Sequence, residues 1–221
     1  MTPLRKTSFI AGVIYVITFA SIPTLSLYSS IHEPGYILGS GPDTNVLIGC
    51  VLEIVVALSG IATAVVLYPI LKIQNRAMAL GLVSSRILEA SMIFGGVAFL
   101  LSVVTLRQTG AGEEALIIGR AFVTMYDRLF LVGQSLMPAV NDILLGLLLY
   151  HSRLVPRTLA VIGVIGGPLL LSSDVCVLFG IIGQRDPLAM MSAIPVALFE
   201  LGLGVWLIVK GFNVRSYASF S

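Results

Sequence analysis

Six ionisable side chains interrupt stretches that are otherwise apolar: Glu53, Arg86, Glu89, Asp142, Asp174 and Glu200. Asn141 adds an amide beside Asp142. Arg86 and Glu89 are three residues apart, so on a helix they share a face and can pair or jointly engage a third group. Five carboxyls against one guanidinium cannot all be charged in a low-dielectric setting. Some must be protonated, hydrated in a cavity, or neutralised by a bound cation. Groups of that kind suit proton relay or general acid–base work. All seven residues are candidates for ligand binding or proton relay, and none is assigned as catalytic.

Other chemistry is poorly supported by the sequence. His32 falls in a loop and His151 at the edge of an apolar run, so neither can join the mid-run acids in a serine triad or a histidine-rich metal site. No metal site is expected. Cys50 and Cys176 lie within apolar segments and read as small apolar filler. Gly163, Gly166 and Gly167 before Pro168 read as close helix packing, not as a phosphate cradle. No intramembrane lysine is available for a retinal Schiff base. No cofactor can be named.

The elements that must position these groups follow from composition. Of 221 residues, 57% are hydrophobic and 11% charged, and mean hydropathy is +1.02. A soluble domain carries about 25% charge, and this chain in water would expose large apolar patches. The sequence therefore predicts an all-α polytopic transmembrane bundle forming a single integral membrane domain over 1–221. A span takes roughly 20 apolar residues, and six segments qualify: 7–28, 46–71, 77–106, 129–150, 159–182 and 187–209. The apolar run from 115 is too long for one simple span, so its first part, with Arg120, Asp127 and Arg128, is expected at the interface or beyond it. The first run follows Arg5 and Lys6 and exceeds a signal-peptide core, so it reads as an uncleaved anchor.

Basic residues near the span ends set the orientation. Arg5, Lys6, Lys72, Arg76, Arg153, Arg157, Lys210 and Arg215 fall on one side, and Arg107, Arg120, Arg128 and Arg185 on the other. That asymmetry predicts both termini in the cytoplasm. Helix rise places Arg86, Asp142 and Glu200 roughly 12–14 Å from the inner ends of their helices, with Glu89 a turn higher, and Glu53 and Asp174 roughly 10–12 Å from the outer ends. Pro138 precedes Asn141 by one turn and frees a carbonyl near mid-membrane. The basic residues form no patch suited to nucleic acid. The expected partners are membrane lipids and a small-molecule ligand, with oligomerisation open.

The chain resembles the bacterial membrane-protein family catalogued as domain of unknown function 4386. The resembling stretches are Arg5-Lys6 with Ala11 to Tyr15, Leu52-Glu53, Leu67-Tyr68-Pro69, Arg86 to Glu89, Leu136 to Asn141, Ser152 to Arg157, and Phe199-Glu200 to Gly211-Phe212. They include Glu53, Arg86, Glu89, Asn141 and Glu200 but not Asp142 or Asp174. The resemblance implies a six-span protein of the bacterial inner (plasma) membrane and supplies no activity. Three functions fit the residues. The first is binding or transport of a small polar or amphiphilic molecule, with proton coupling. The second is an intramembrane enzyme acting on a lipid or isoprenoid, and the third a non-catalytic sensor or assembly partner.

Overall fold

The computed structural model describes residues 1–218, all helix, turn and loop without a strand, apart from the side chains of Ser21 and Leu25. Its helices are α1 (Pro3–Thr18), α2 (Thr24–Leu27), α3 (Thr44–Leu71), α4 (Arg76–Gln108), α5 (Ala115–Leu129), α6 (Met137–Ser152), α7 (Arg157–Leu178), α8 (Pro187–Ser192), α9 (Ile194–Val209) and α10 (Val214–Ala218). A π-helical segment, Phe130–Leu136, joins α5 to α6 without a break. Five stretches are long and apolar enough to cross a membrane: Thr44–Leu71, Arg76–Gln108, Ala115–Ser152, Arg157–Leu178 and Pro187–Val209. This is a helical membrane protein.

The first expected span departs from a single helix. α1 has 16 residues, about 24 Å at helical rise, and short 3₁₀ turns and α2 follow it. Pro23 has no N–H to offer the Phe19 carbonyl, and Ile22 instead closes a tighter turn onto Phe19 at 3.2 Å. In the fourth region α5 runs straight on into α6 through the π segment. The 38-residue unit would measure about 57 Å, against roughly 30 Å of hydrocarbon. The other boundaries lie within a few residues of those expected. Asn75 caps α4, its side chain accepting from the Met78 N–H at 3.0 Å.

The helices pack as a closed ring: α1 on α3, α3 on α4, α4 on α6, α6 on α7, α7 on α9, and α9 back on α1. Apolar side chains such as Phe9, Ile17, Val51, Leu58, Ile87, Ile165 and Leu198 stay exposed on the outer faces, as a lipid solvent requires. Small residues set the close approaches. A Cβ on Gly12 of α1 would lie 2.6 Å from the Gly204 carbonyl of α9, and one on Gly167 of α7 2.6 Å from the Ala139 carbonyl of α6. Gly163 faces the Phe199 ring and Gly166 faces Pro195 equally closely, so the three glycines serve helix packing as expected.

The start of α1 and the end of α9 lie at the same end of the ring. Arg5 donates to the Leu207 carbonyl at 2.8 Å and to Val209 at 3.2 Å, with Ile208 between them. It thereby satisfies the orphan carbonyls of α9 and sets a cation at the negative end of that helix. Gly211 ends the turn with φ +77°, and a Cβ there would lie 2.9 Å from the Arg5 guanidinium.

At the far end, Arg107 gathers the loop before α3. It donates to Gly39 at 2.9 and 3.0 Å, to Gly41, and to Asp43 at 2.6 Å, and lies 4.4 Å from the centroid of the Tyr36 ring. Burial pushes the Asp43 carboxyl upward, but hydrogen bonds from Tyr36 and Gln108 and the Arg107 charge outweigh it and hold the group below its ordinary value. Tyr36 is pushed up to about 12, first by burial and then by its bond to Asp43.

Candidate functional site

Four of the seven candidates meet at the centre of the ring. Arg86 is 3% exposed and Glu89 6%. Within α4, the Arg86 guanidinium donates to both Glu89 oxygens, at 3.0 and 3.3 Å. Its other terminal nitrogen donates to Glu200 of α9. Asn141 of α6 donates its amide to Glu89 at 2.7 Å. The expected i, i+3 pairing therefore forms and engages a third group, the acid of another helix.

Two further helices supply the surroundings. Tyr15 of α1 is buried, and its ring centroid lies 5.9 Å from the Arg86 guanidinium carbon, within cation–π reach. On α3, Gly60 flanks the arginine stem, where a Cβ would make ordinary contact with the Arg86 Cδ at 3.7 Å. Thr63, also fully buried, bonds back to the Gly60 carbonyl at 2.7 Å. Sequence reasoning missed Tyr15. Its signal was a phenol in the middle of an apolar run, four residues beyond the small Ala11.

Asp142 is present but stands apart in its bonding. It is 0% exposed and neither carboxyl oxygen has a hydrogen-bond partner. Its electrostatic neighbours are Glu200, Arg86 and Glu89. Two other atoms here are also unpartnered, Asn141 Oδ1 and Arg86 Nε. Buried polar atoms normally find a partner, so three acceptors and one donor left over in one cluster are unusual. The arrangement sets three acids, Glu89, Glu200 and Asp142, around one guanidinium.

Glu53 and Asp174 do not join this cluster. Glu53 of α3 accepts from the Tyr126 hydroxyl at 2.6 Å and from Gln134 at 3.2 Å. Asp174 of α7 accepts from Ser135 at 2.7 Å. One oxygen of each remains unpartnered. Their donors Gln134 and Ser135 are consecutive residues of the π segment, which therefore anchors α3 and α7 at once. The segment ends just before Pro138, which cannot supply the N–H that an α-helix would give the Gln134 carbonyl. The sequence pointed to a kink here but not to these two donors or Tyr126.

The remaining polar groups fall outside the ring's centre. His32 bonds Asp127 at 3.0 Å and the Tyr28 carbonyl at 2.8 Å, beside a far-end cavity of about 320 Å³. A second cavity, of about 480 Å³, opens at the terminal end. Neither is lined by Arg86, Glu89, Asn141, Asp142 or Glu200. Among the described residues, no three His, Cys, Asp or Glu side chains come together as a metal cage. Both cysteines are free thiols.

A model of the family described as a domain of unknown function, DUF4386, matches residues 10–211. The chain belongs to the DUF4386 family. All seven candidate residues of this DUF4386 protein lie within the matched region. Among curated proteins and among solved structures, none matches it.

Proposed function

We propose that this DUF4386 protein binds a small polar or amphiphilic molecule within the bundle and moves it across the membrane with protons. The observation that supports this best is the uneven grip on Arg86. Two acids from two helices hold it while a third, Asp142, is buried alongside with no donor. Adding or removing one proton would change which carboxylates compete for the guanidinium, and with it the α4–α9 and α4–α6 contacts. A charged group inside a membrane bundle is expensive and commonly marks such a pathway.

In this reading α1 is a sixth span, both termini are cytoplasmic, and the protein resides in the inner (plasma) membrane. The place of α1 in the ring, between α3 and α9, supports the span count. The eight cations assigned to the terminal side support the orientation. Cysteines introduced singly at Gly35, Gly110 and Ser216 would test it, since an external thiol reagent should label the first two and spare the third in intact cells.

The transport reading is tested in proteoliposomes. A substrate screen should find solute-dependent proton movement that Glu89→Gln abolishes. A screen that finds no proton movement with any solute would defeat it. A second reading, a non-catalytic sensor or assembly partner, draws on the closure of the cluster, since neither cavity is lined by it. It expects substitutions at Arg86 and Glu89 to change stability or complex formation alone.

A further inference from the structure

The terminal-end cavity is built from two turns. One is the α6–α7 connection, with Arg153 and Arg157, and the other follows α9, with Lys210 and Phe212. The Asn213 N–H donates to the Leu154 carbonyl at 2.9 Å and ties the turns together, so the wall is held by backbone. Arg153 ends α6 in a left-handed conformation, φ 54°, which glycine adopts with less strain. A guanidinium thus occupies a position where the backbone alone would favour glycine.

Three basic residues line this one concavity, and no acidic residue lines it. Among the described residues, no ion pair engages Arg153, Arg157 or Lys210. Arg157 rests on the Tyr150 ring, its guanidinium carbon 5.1 Å from the centroid. The 22-residue helix α7 begins at the same place, behind Pro156, and no side chain caps its first turn. The positive end of that helix and its free N–H groups therefore add to the field of the three cations. Trp206 supplies an apolar wall with Phe212, its indole N–H donating to the Gly211 carbonyl at 3.2 Å.

We propose that this cavity is an anion site for a phosphate-bearing group, either the headgroup of an acidic phospholipid or a free phosphate compound. Guanidinium forks match paired phosphate oxygens, and a basic pocket between spans at the membrane surface suits an anionic headgroup. At about 480 Å³ the space exceeds a bare phosphate, and Trp206 and Phe212 offer apolar surface to whatever the phosphate is attached to. Cations that served orientation alone would have no reason to share one cavity with an uncapped helix start.

The test uses the purified full chain in neutral detergent, titrated with phosphatidylglycerol, phosphatidylcholine or inorganic pyrophosphate and read by native mass spectrometry. Phosphatidylglycerol should be retained about tenfold more tightly than phosphatidylcholine. Arg153→Gln/Arg157→Gln should remove that preference. Lys72→Gln/Arg76→Gln, which deletes as much charge from the α3–α4 turn, should keep it. Displacement of the lipid by pyrophosphate assigns a free phosphate compound, and persistence against pyrophosphate assigns the headgroup. Should the double variant fail to fold, Lys210→Gln with an unchanged Tm makes the same comparison. Equal retention of both lipids without pyrophosphate binding, or an equal loss in the α3–α4 variant, overturns the proposal.

Discussion

Asn141 of α6 donates to the Glu89 carboxylate of α4 at 2.7 Å, so the central cluster is a joint between helices and not merely a pair along one of them. Asn141→Leu should loosen that joint by about 0.5–1.5 kcal/mol, the scale of hydrogen bonds between helices in a bilayer. Arg86→Met should cost more, about 3–5 kcal/mol, because it leaves the buried Glu89 and the part-buried Glu200 without their counter-charge. Thermal unfolding in detergent orders the two, and an Arg86→Met protein as stable as the parent would rule out ionised partners at Glu89 and Glu200.

The donors around Glu53 make a separate prediction. Tyr126→Phe removes the shorter of two bonds to Glu53 and leaves Gln134 alone to satisfy it. The loss should be about 1–2 kcal/mol, partly recovered in Tyr126→Phe/Glu53→Gln. A double-mutant cycle reads this, and strict additivity would mean that the two side chains do not couple.

Much of this was legible in the residues. The spans bounded by Lys72 to Asn75 and by Gly183 to Asp186 lie near their expected limits because polar turns flank uninterrupted apolar runs. Arg86 and Glu89 announced their pairing by spacing alone. Asp142 and Glu200 could be assigned to the same depth, but not to the same place, because depth says nothing of which helices are neighbours. Glu53 and Asp174 share a depth too, and yet separate donors hold them. The break after α1 was harder to read, since Ser21, Ile22 and Pro23 sit in a stretch whose hydropathy hardly falls.

The far-end loop should respond to acid. Asp43 is held below its ordinary value by Tyr36, Gln108 and Arg107, so its contribution is complete above the unfolded value, about 3.9. That contribution fades as pH falls through the lower folded value. Hydrogen exchange over residues 35–43, followed from pH 6 to pH 3, should show protection falling only below about pH 4. In Asp43→Asn it should be low throughout and nearly flat with pH. Protection that fell between pH 6 and 5 would point to a different group.

Arg5 ties α1 to three carbonyls at the end of α9. Arg5→Met should raise hydrogen exchange at residues 207–211 while leaving α3 unchanged, with a stability loss of about 1–3 kcal/mol. Gly211→Ala should act on the same spot through its positive φ and its contact with Arg5. Unaltered exchange in both variants would show that α9 ends independently of α1.

The contact between α1 and α9 joins residues about 200 positions apart, as Arg5 and Leu207 show. During synthesis α1 is made before α9, and the strip around Gly12 then waits while every intervening helix is made. The ring is thus sealed by its last-made wall, and loop closure over such a length is slow and costly. Without α9 the ring would lack the wall between α7 and α1 and the Glu200 partner of Arg86.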